Sequence, residues 1–403
     1  MRRTAGTADF LIIGGGVIGL TIALELKRRH PEAAVTLIEK ENDCGVHASG
    51  RNSGVLHAGF YYTADTLKAR FTKAGNRAWT AYCEARGLRI NRCGKLVVAR
   101  NAGELPVMDE LVRRARANGI ELQELTAEEA RLIEPRVRTY ERALFSPTTS
   151  SVDPAEVVAA VVADARALGI TICTSTAYRG AEAGGVRTSA GRVAAGYVIN
   201  AAGLYADRIA RDYGFGERYR ILPFKGLYLY GNGGSRPPQT HIYPVPDLRQ
   251  PFLGVHFTLT AAGNVKIGPT AIPAFWRQHY GGLANFDLGE CAEILARQAG
   301  LLFSNAGDFR SLAWSEVRKY SRRRIVELAA ELVQGTRPAQ YRRWGQAGIR
   351  AQLLDLETRT LDMDFRCLGD DRSFHVLNAV SPGFTCAMPF AAYVVDRIEE
   401  LAR

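Results

Sequence analysis

A glycine turn set between a strand and a helix constrains this chain more than any other feature. The apolar run Phe10-Leu11-Ile12-Ile13 leads into Gly14-Gly15-Gly16-Val17-Ile18-Gly19, which opens a helical run from Leu20 to Leu26. A second β-like run, Val35-Thr36-Leu37-Ile38, follows, and Glu39 stands at its end. In this order they form one dinucleotide-binding unit. Gly14 permits the tight turn, Gly16 lets backbone N–H groups approach a pyrophosphate, and Gly19 allows close helix–strand packing. The helix N-terminus adds unpaired N–H groups and a positive dipole end. Glu39 can accept hydrogen bonds from a ribose diol and would repel a 2′-phosphate, so the unit suits FAD or NAD and disfavours NADP.

The rest of the chain bounds what this unit belongs to. At 403 residues it is too long for one small core and suggests about two domains. Seven scattered cysteines include no CxxC pair, which suggests neither a zinc site nor a disulfide framework, and a reducing interior is expected. The stretch Phe10–Leu26 is apolar enough to resemble a signal or membrane segment, but its glycines and the strand and acid after it fit a packed strand and helix better. The net charge of +11 is either an arginine-rich soluble surface or an attraction to anionic substrate or headgroups. Base-reading motifs and stacking platforms are not evident, so nucleic-acid binding is not expected.

Along the chain, a glycine- and serine-rich loop (Cys44–Tyr62) precedes a helix at Leu67–Glu84 and a strand at Lys95–Ala99. Helical patterns follow at Glu104–Asn118, Ala127–Ile133 and, behind Asp153-Pro154, Ala155–Leu168. Strands at Ile170–Thr176 and Val193–Ala201 lead to a second glycine turn, Asn200-Ala201-Ala202-Gly203, and a helix at Leu204–Asp212. From Leu222 to Gly268, β-branched and aromatic residues predict an antiparallel sheet. Residues 287–344 read as mostly helical. A strand at His375–Asn378 then passes through Ser381-Pro382-Gly383-Phe384-Thr385 into a last helix ending near Leu401. The expected fold is α/β: a discontinuous Rossmann-type nucleotide domain (1–90, 152–215, 345–403) with an inserted antiparallel-sheet substrate domain (91–151, 216–344).

The fingerprint, the Asn200–Gly203 turn and the Ser-Pro-Gly-Phe-Thr run together resemble the D-amino-acid oxidase superfamily of flavoproteins. The segment from His47-Ala48-Ser49-Gly50-Arg51-Asn52-Ser53-Gly54 through Val55-Leu56-His57-Ala58-Gly59-Phe60-Tyr61-Tyr62 resembles its L-2-hydroxyglutarate dehydrogenase/oxidase branch. Ile242–Asp247, Pro251–Thr258, Gly268–Ala271 and Gly348–Gln352 resemble that branch as well. The resemblance implies a D-amino-acid oxidase-like fold, FAD as cofactor, and oxidation of an L-2-hydroxy dicarboxylic acid to a 2-oxo acid, with 2-oxoglutarate as first product. It implies Gly14, Gly16, Val17, Ile18, Glu39 and Lys40 around the adenosine and pyrophosphate, and Ser49, Arg51, Asn52, Ser53, Gly54 and Val55 along the flavin side. Ala177, Ala201 and Gly203 would supply backbone contacts, with Gly383, Phe384 and Thr385 near the pyrimidine end of the flavin and Pro382 and Arg350 as further cofactor-binding residues. Arg51 stands where many members have His, and Lys225 where the motif usually reads Pro-Phe-Arg-Gly. These departures bear on the identity of the acid.

Oxidising a secondary alcohol removes its hydroxyl proton and transfers the α-hydrogen as hydride, here to flavin N5. Histidine is the best-matched base near neutral pH. His57, directly after the flavin loop, is the first candidate and His256, on a predicted strand, the second; each has a structural alternative. An anionic substrate needs a cation, for which Lys225 and Arg350 are candidates and Arg51 a third. Tyr61, Tyr62 and Tyr243 could donate a hydroxyl or shape the cavity. The electron acceptor stays open among oxygen, quinone and a carrier protein. The basic stretch Arg310–Trp344 is a solvated helical face or an interfacial surface on anionic lipid. The expected location is cytoplasmic, with peripheral contact at the inner face of the membrane as the alternative. An FAD-dependent amino-acid or amine oxidase and a non-catalytic flavin-binding protein are the competing readings.

Overall fold

The computed structural model describes residues 7–232, 236–249, 252–305 and 308–402; Pro251 of the Pro251–Thr258 run lies outside them. The chain divides into two units. One takes residues up to Asn52, Pro154–Leu222 and the chain from Arg350 on; the other takes Ser53–Asp153 and Pro223–Ile349.

The first unit is built on a parallel sheet. The strands Thr171–Cys173, Val35–Ile38, Thr7–Ile13, Gly191–Asn200 and Ser373–Asn378 lie side by side in that order, each parallel to its neighbour. Val35–Ile38 and Ser373–Asn378 are buried at every position, as a strand covered on both faces requires. The helix Val17–Arg29 packs against Gly383–Leu401 and Pro154–Ala167. An antiparallel hairpin, Tyr178–Glu182 with Gly185–Thr188, joins the edge of Gly191–Asn200.

The first segment of this unit ends at Asn52, not near residue 90 as the sequence suggests. The cause is β-pairing. Val55–Leu56 and Ile90–Asn91 both pair antiparallel with Ser150–Val152, and the helix Leu67–Ala85 lies on both. Two-residue strands leave no periodicity in a sequence, so the switch is invisible there.

The second unit is built on an eight-stranded sheet. Its order is Tyr341–Trp344, Leu229–Gly231, Val265–Gly268, His256–Leu259, His241–Pro244, Lys95–Val98, Arg142–Ser146 and Gln123–Thr126. It is mixed, not wholly antiparallel, because His241–Pro244 runs parallel to Lys95–Val98. Those strands come from distant segments, so no hairpin dictates their sense. Tyr341–Trp344, expected as helix, is an edge strand paired with Leu229–Gly231; Tyr341 is buried and Arg342-Arg343-Trp344 stand exposed. The rest of 287–344 is largely helical, at Leu288–Ser304, Phe309–Val317 and Arg322–Ala330.

Strand alternation gives this sheet two unlike faces. Leu96, Val98, Ile242, Phe257, Leu259, Val265 and Ile267 point to one side and join Ile325, Val326 and Ala329 in an apolar core. The other side carries the site described below. All seven cysteines are free.

Candidate active site

The nucleotide cradle of the first unit is defined by where side chains cannot go. Gly14 has φ +116°, and a Cβ there would stand 2.5 Å from the Ala201 carbonyl oxygen. A Cβ on Gly19 would stand 2.0 Å from the Gly14 oxygen. The helix opened by this turn has no acidic residue in its first turn, and the Val17 N–H donates to Ser49 Oγ at 2.9 Å. Glu39 is buried and fixed at both oxygens: the Gly15 N–H donates to Oε2 at 2.7 Å and the Glu41 N–H to Oε1 at 2.9 Å. Each oxygen keeps a second lone pair for a ribose hydroxyl. A turn without side chains, a helix N-terminus and a fixed carboxylate suit an adenine dinucleotide.

Other expected cofactor residues of this unit already hold its own backbone. Arg51 Nε donates to the Val46 carbonyl at 2.7 Å, and Asn52 Nδ2 to the Ser49 carbonyl at 2.7 Å, which ties the loop together. The N–H of Ala177 donates to Ser189 Oγ and its carbonyl accepts from Ser189 N–H, so both backbone groups are engaged. Lys40 pairs with Glu41 and lies over the Tyr205 ring at 5.5 Å. Gly203 adopts φ +53° at the second turn, and the Ala201 N–H donates to the Ile13 carbonyl. Pro382 precedes the helix that Gly383, Phe384 and Thr385 open; Gly383 and Thr385 are buried. Arg350 is half-buried in this unit, whereas Ser53, Gly54 and Val55 belong to the second.

In the second unit the sheet register collects basic groups on one face. His241 stands opposite Lys95, Lys95 opposite Ser146, Thr258 opposite Lys266, and Lys266 opposite Tyr230. Ile242 pairs with Phe257, which sets His241 beside Thr258 and Tyr243 beside His256. A buried row therefore crosses the sheet: Lys266, Thr258, His241, Lys95 and Ser146. His256 and Tyr243 lie in the next row, their rings stacked at 3.6 Å with an interplanar angle of 16°.

The hydrogen bonds fix two tautomers. His256 Nδ1 lies 2.7 Å from the Gly254 carbonyl; it must donate, which leaves Nε2 as a proton acceptor. His241 Nδ1 accepts from the Leu259 N–H at 3.0 Å, so its proton sits on Nε2 and a second proton would break that bond. Burial, then Lys95 and Lys266, hold His241 down to about 3. His57 follows the strand Val55–Leu56 and is buried; burial, then Lys95 and His241, lower its pKa well below the ordinary value. His256 is lowered by burial and by the charges of His57, His241 and Lys95, against the Gly254 carbonyl, which raises it. The two candidate bases thus share one cluster. Burial raises the Tyr243 phenol well above its ordinary value, so it stays a donor.

Lys225, near the end of the strand Tyr219–Gly226, is buried, and desolvation lowers its pKa. Its charge reaches His279, held to about 4 by burial first and Lys225 second. Tyr62 is half-buried, with Lys68 Nζ 5.8 Å from its ring. Sequence reasoning missed Lys95, His241 and Lys266. Each is a lone basic residue alternating with apolar neighbours in a strand, a pattern ordinarily read as a solvent face; the signal was its recurrence on three strands of one sheet.

With this geometry in hand, comparison with known proteins assigns the class. The family model for DAO-type FAD dependent oxidoreductases matches residues 9–397. The chain belongs to that family: it is an FAD-dependent oxidoreductase with a small-molecule substrate and an electron acceptor. Among curated proteins it is 36% identical over 399 residues to the L-2-hydroxyglutarate dehydrogenase of Escherichia coli (strain UMN026), covering 98% of this chain and 93% of that one. It is 31% identical to the mitochondrial L-2-hydroxyglutarate dehydrogenase of Homo sapiens, covering 99% and 90%. Among solved structures, L-α-glycerophosphate oxidase of Mycoplasma pneumoniae with FAD bound has a TM-score of 0.78 at 23% identity, covering 98% and 95%. Glycine oxidase of Geobacillus kaustophilus follows at 0.71 and 21%, with the same coverage. These two share the fold. No described helix is long and apolar enough to cross a membrane.

Proposed function

We propose that this enzyme oxidises an L-2-hydroxy dicarboxylic acid, L-2-hydroxyglutarate first, to the 2-oxo acid. One observation carries the reading. A buried sheet face gathers Lys95, Lys266, His241, His256 and Tyr243, and no carboxylate among the described residues neutralises Lys95 or His241. Such a face repels cations and suits an anion. The names of the curated relatives support the same acid.

Gly14, Gly16, Val17, Ile18, Glu39 and Lys40 would hold the adenosine and pyrophosphate of FAD; Ser49, Arg51–Val55, Ala177, Ala201, Gly203, Arg350 and Pro382–Thr385 would hold the remainder. When bound, FAD supplies the hydride acceptor. His57 takes the hydroxyl proton, and the α-hydrogen leaves carbon with its electron pair as the C=O bond forms. His256 is the second reading for the base, favoured by its fixed Nδ1–H and open Nε2. Lys225 offers a carboxylate a point charge and Arg350 a bidentate fork. Tyr243 holds His256 by stacking, and Tyr62 is a further hydroxyl donor.

Anaerobic rapid mixing of the FAD-loaded His57→Ala and His256→Ala variants with L-2-hydroxyglutarate separates the two. Replacing the base lowers the rate of flavin reduction by ~10²–10⁴-fold. Normal reduction in both variants would discard a histidine base.

For the acceptor we favour a quinone reached from a lipid surface. Leu295, Leu302, Phe303, Trp314 and Val317 stand exposed, with Phe303 83% and Trp314 69% accessible. Arg310, Arg318, Arg322 and Arg323 are exposed in the same stretch of chain. Apolar side chains among arginines suit peripheral contact with anionic headgroups.

A further inference from the structure

We propose that Lys95 is a positioning residue: its buried ammonium, held by the rings of Phe60, Tyr61 and Tyr243, keeps His57 and His256 in their proton-accepting form. The inference rests on the histidine-base reading above.

The geometry is unusual for a lysine. Its residue exposure is 0%, and Nζ makes no hydrogen bond among the described residues. Nζ lies 4.5 Å from the Phe60 centroid, 4.5 Å from that of Tyr61 and 5.0 Å from that of Tyr243. Ring quadrupoles attract a cation without contributing a negative charge. A carboxylate partner would do the opposite and cancel the lysine's field toward its neighbours. The cage therefore retains a cation whose charge stays felt. Sheet register sets it opposite His241; its charge adds to burial as the next cause at His57 and His241, and more weakly at His256, whose ring stacks on the Tyr243 of the cage.

The basic groups of the cluster lower its histidines, against the Gly254 carbonyl at His256 and the Ser150 backbone at His241. His57 faces Lys95 and His241; His256 faces His57, His241 and Lys95; His241 faces Lys95 and Lys266. Asp153 opposes this, and acts on Lys266. Burial brings Lys95 itself to about 7, so its field is full below neutrality, where a histidine base is most at risk of being protonated. A buried base with a cation at its flank needs no other device to stay neutral.

The test uses the FAD-loaded enzyme and its Lys95→Met variant, near in shape and uncharged, with Lys95→Arg restoring charge. Nitrogen NMR of labelled imidazoles reads histidine protonation without turnover. In Lys95→Met the buried histidines titrate at higher pH than in wild type, and Lys95→Arg moves them back. The acid limb of kcat/KM moves up with them, and the ratio of kcat/KM at pH 6 to that at pH 8 falls, by about 4-fold at most, the value for a histidine returned to its ordinary pKa. Should Lys95→Met not fold, the wild-type imidazole signals must show a second inflection at the pH where Lys95 Nζ loses its proton. Unmoved imidazole titrations in a folded variant, or no such inflection in wild type, overturn the proposal. Moved titrations with an unmoved kcat/KM profile uphold it and overturn the histidine-base reading instead.

Discussion

Alanine at the three glycines Gly14, Gly19 and Gly169 separates two kinds of damage, and the structure sets the size of each. Gly169 has φ +80° with nothing within 4 Å of an added Cβ, so Gly169→Ala meets only the backbone penalty, about 1–2 kcal/mol. Gly19 has no positive φ, but its Cβ would press on the Gly14 carbonyl oxygen at 2.0 Å, a backbone atom unable to swing aside. Overpacking of that kind costs about 1–3 kcal/mol. Gly14 suffers both, through φ +116° and the Ala201 oxygen at 2.5 Å. Strain of about 1–3 kcal/mol adds to a similar overpacking term, about 2–6 kcal/mol together, a large part of a domain's ordinary 5–15. Urea midpoints of the three variants, with FAD affinity measured by flavin fluorescence, make the comparison. Gly14→Ala is expected to be the least stable and to lose FAD binding; Gly169→Ala keeps it. A Gly14→Ala protein that binds FAD as tightly as Gly169→Ala would refute the steric reading of the turn.

The remaining expectations concern charge, caps and surfaces. His241 is held at about 3 against an ordinary 6.5, so the unfolded chain takes the proton first as pH falls; stability drops from about pH 6.5 downward by up to about 5 kcal/mol, and urea midpoints for His241→Asn have a shallower slope. Lys95 is held at about 7 against 10.5, so the unfolded state binds more protons between those values and stability rises with pH across them; Lys95→Met loses that rise. Ser49→Ala removes the acceptor of the Val17 N–H and lowers stability by about 1 kcal/mol, readable as a shift in urea midpoint. Flotation with anionic vesicles is strong at low salt and lost at high salt; Phe303→Ser with Trp314→Ser abolishes it, and no flotation at low salt ends the lipid proposal.

Much of the first unit was legible because its signals are local. Gly14, Gly16, Gly19 and Glu39 stand at fixed spacing, and the apolar run Val35–Ile38 needs no partner to be recognised. The unit boundary at Asn52 was not legible, since it depends on Val55–Leu56 choosing Ser150–Val152, a pairing of distant segments. The strand Tyr341–Trp344 escaped for a related reason: its three exposed residues carry a helix-like composition, and only pairing with Leu229–Gly231 makes it extended. His57, His256 and Tyr243 could be named singly from motifs. That Lys95, His241 and Lys266 join them could not, because sheet register, not sequence distance, brings these residues to one face.

Anaerobic addition of L-2-hydroxyglutarate to the purified yellow holoenzyme addresses the proposed chemistry most directly. Loss of the flavin colour with stoichiometric appearance of 2-oxoglutarate, faster than with the D-isomer or any amino acid, is the expected result. A flavin that stays oxidised with every 2-hydroxy acid, yet bleaches with an amino acid and releases ammonia, would contradict it.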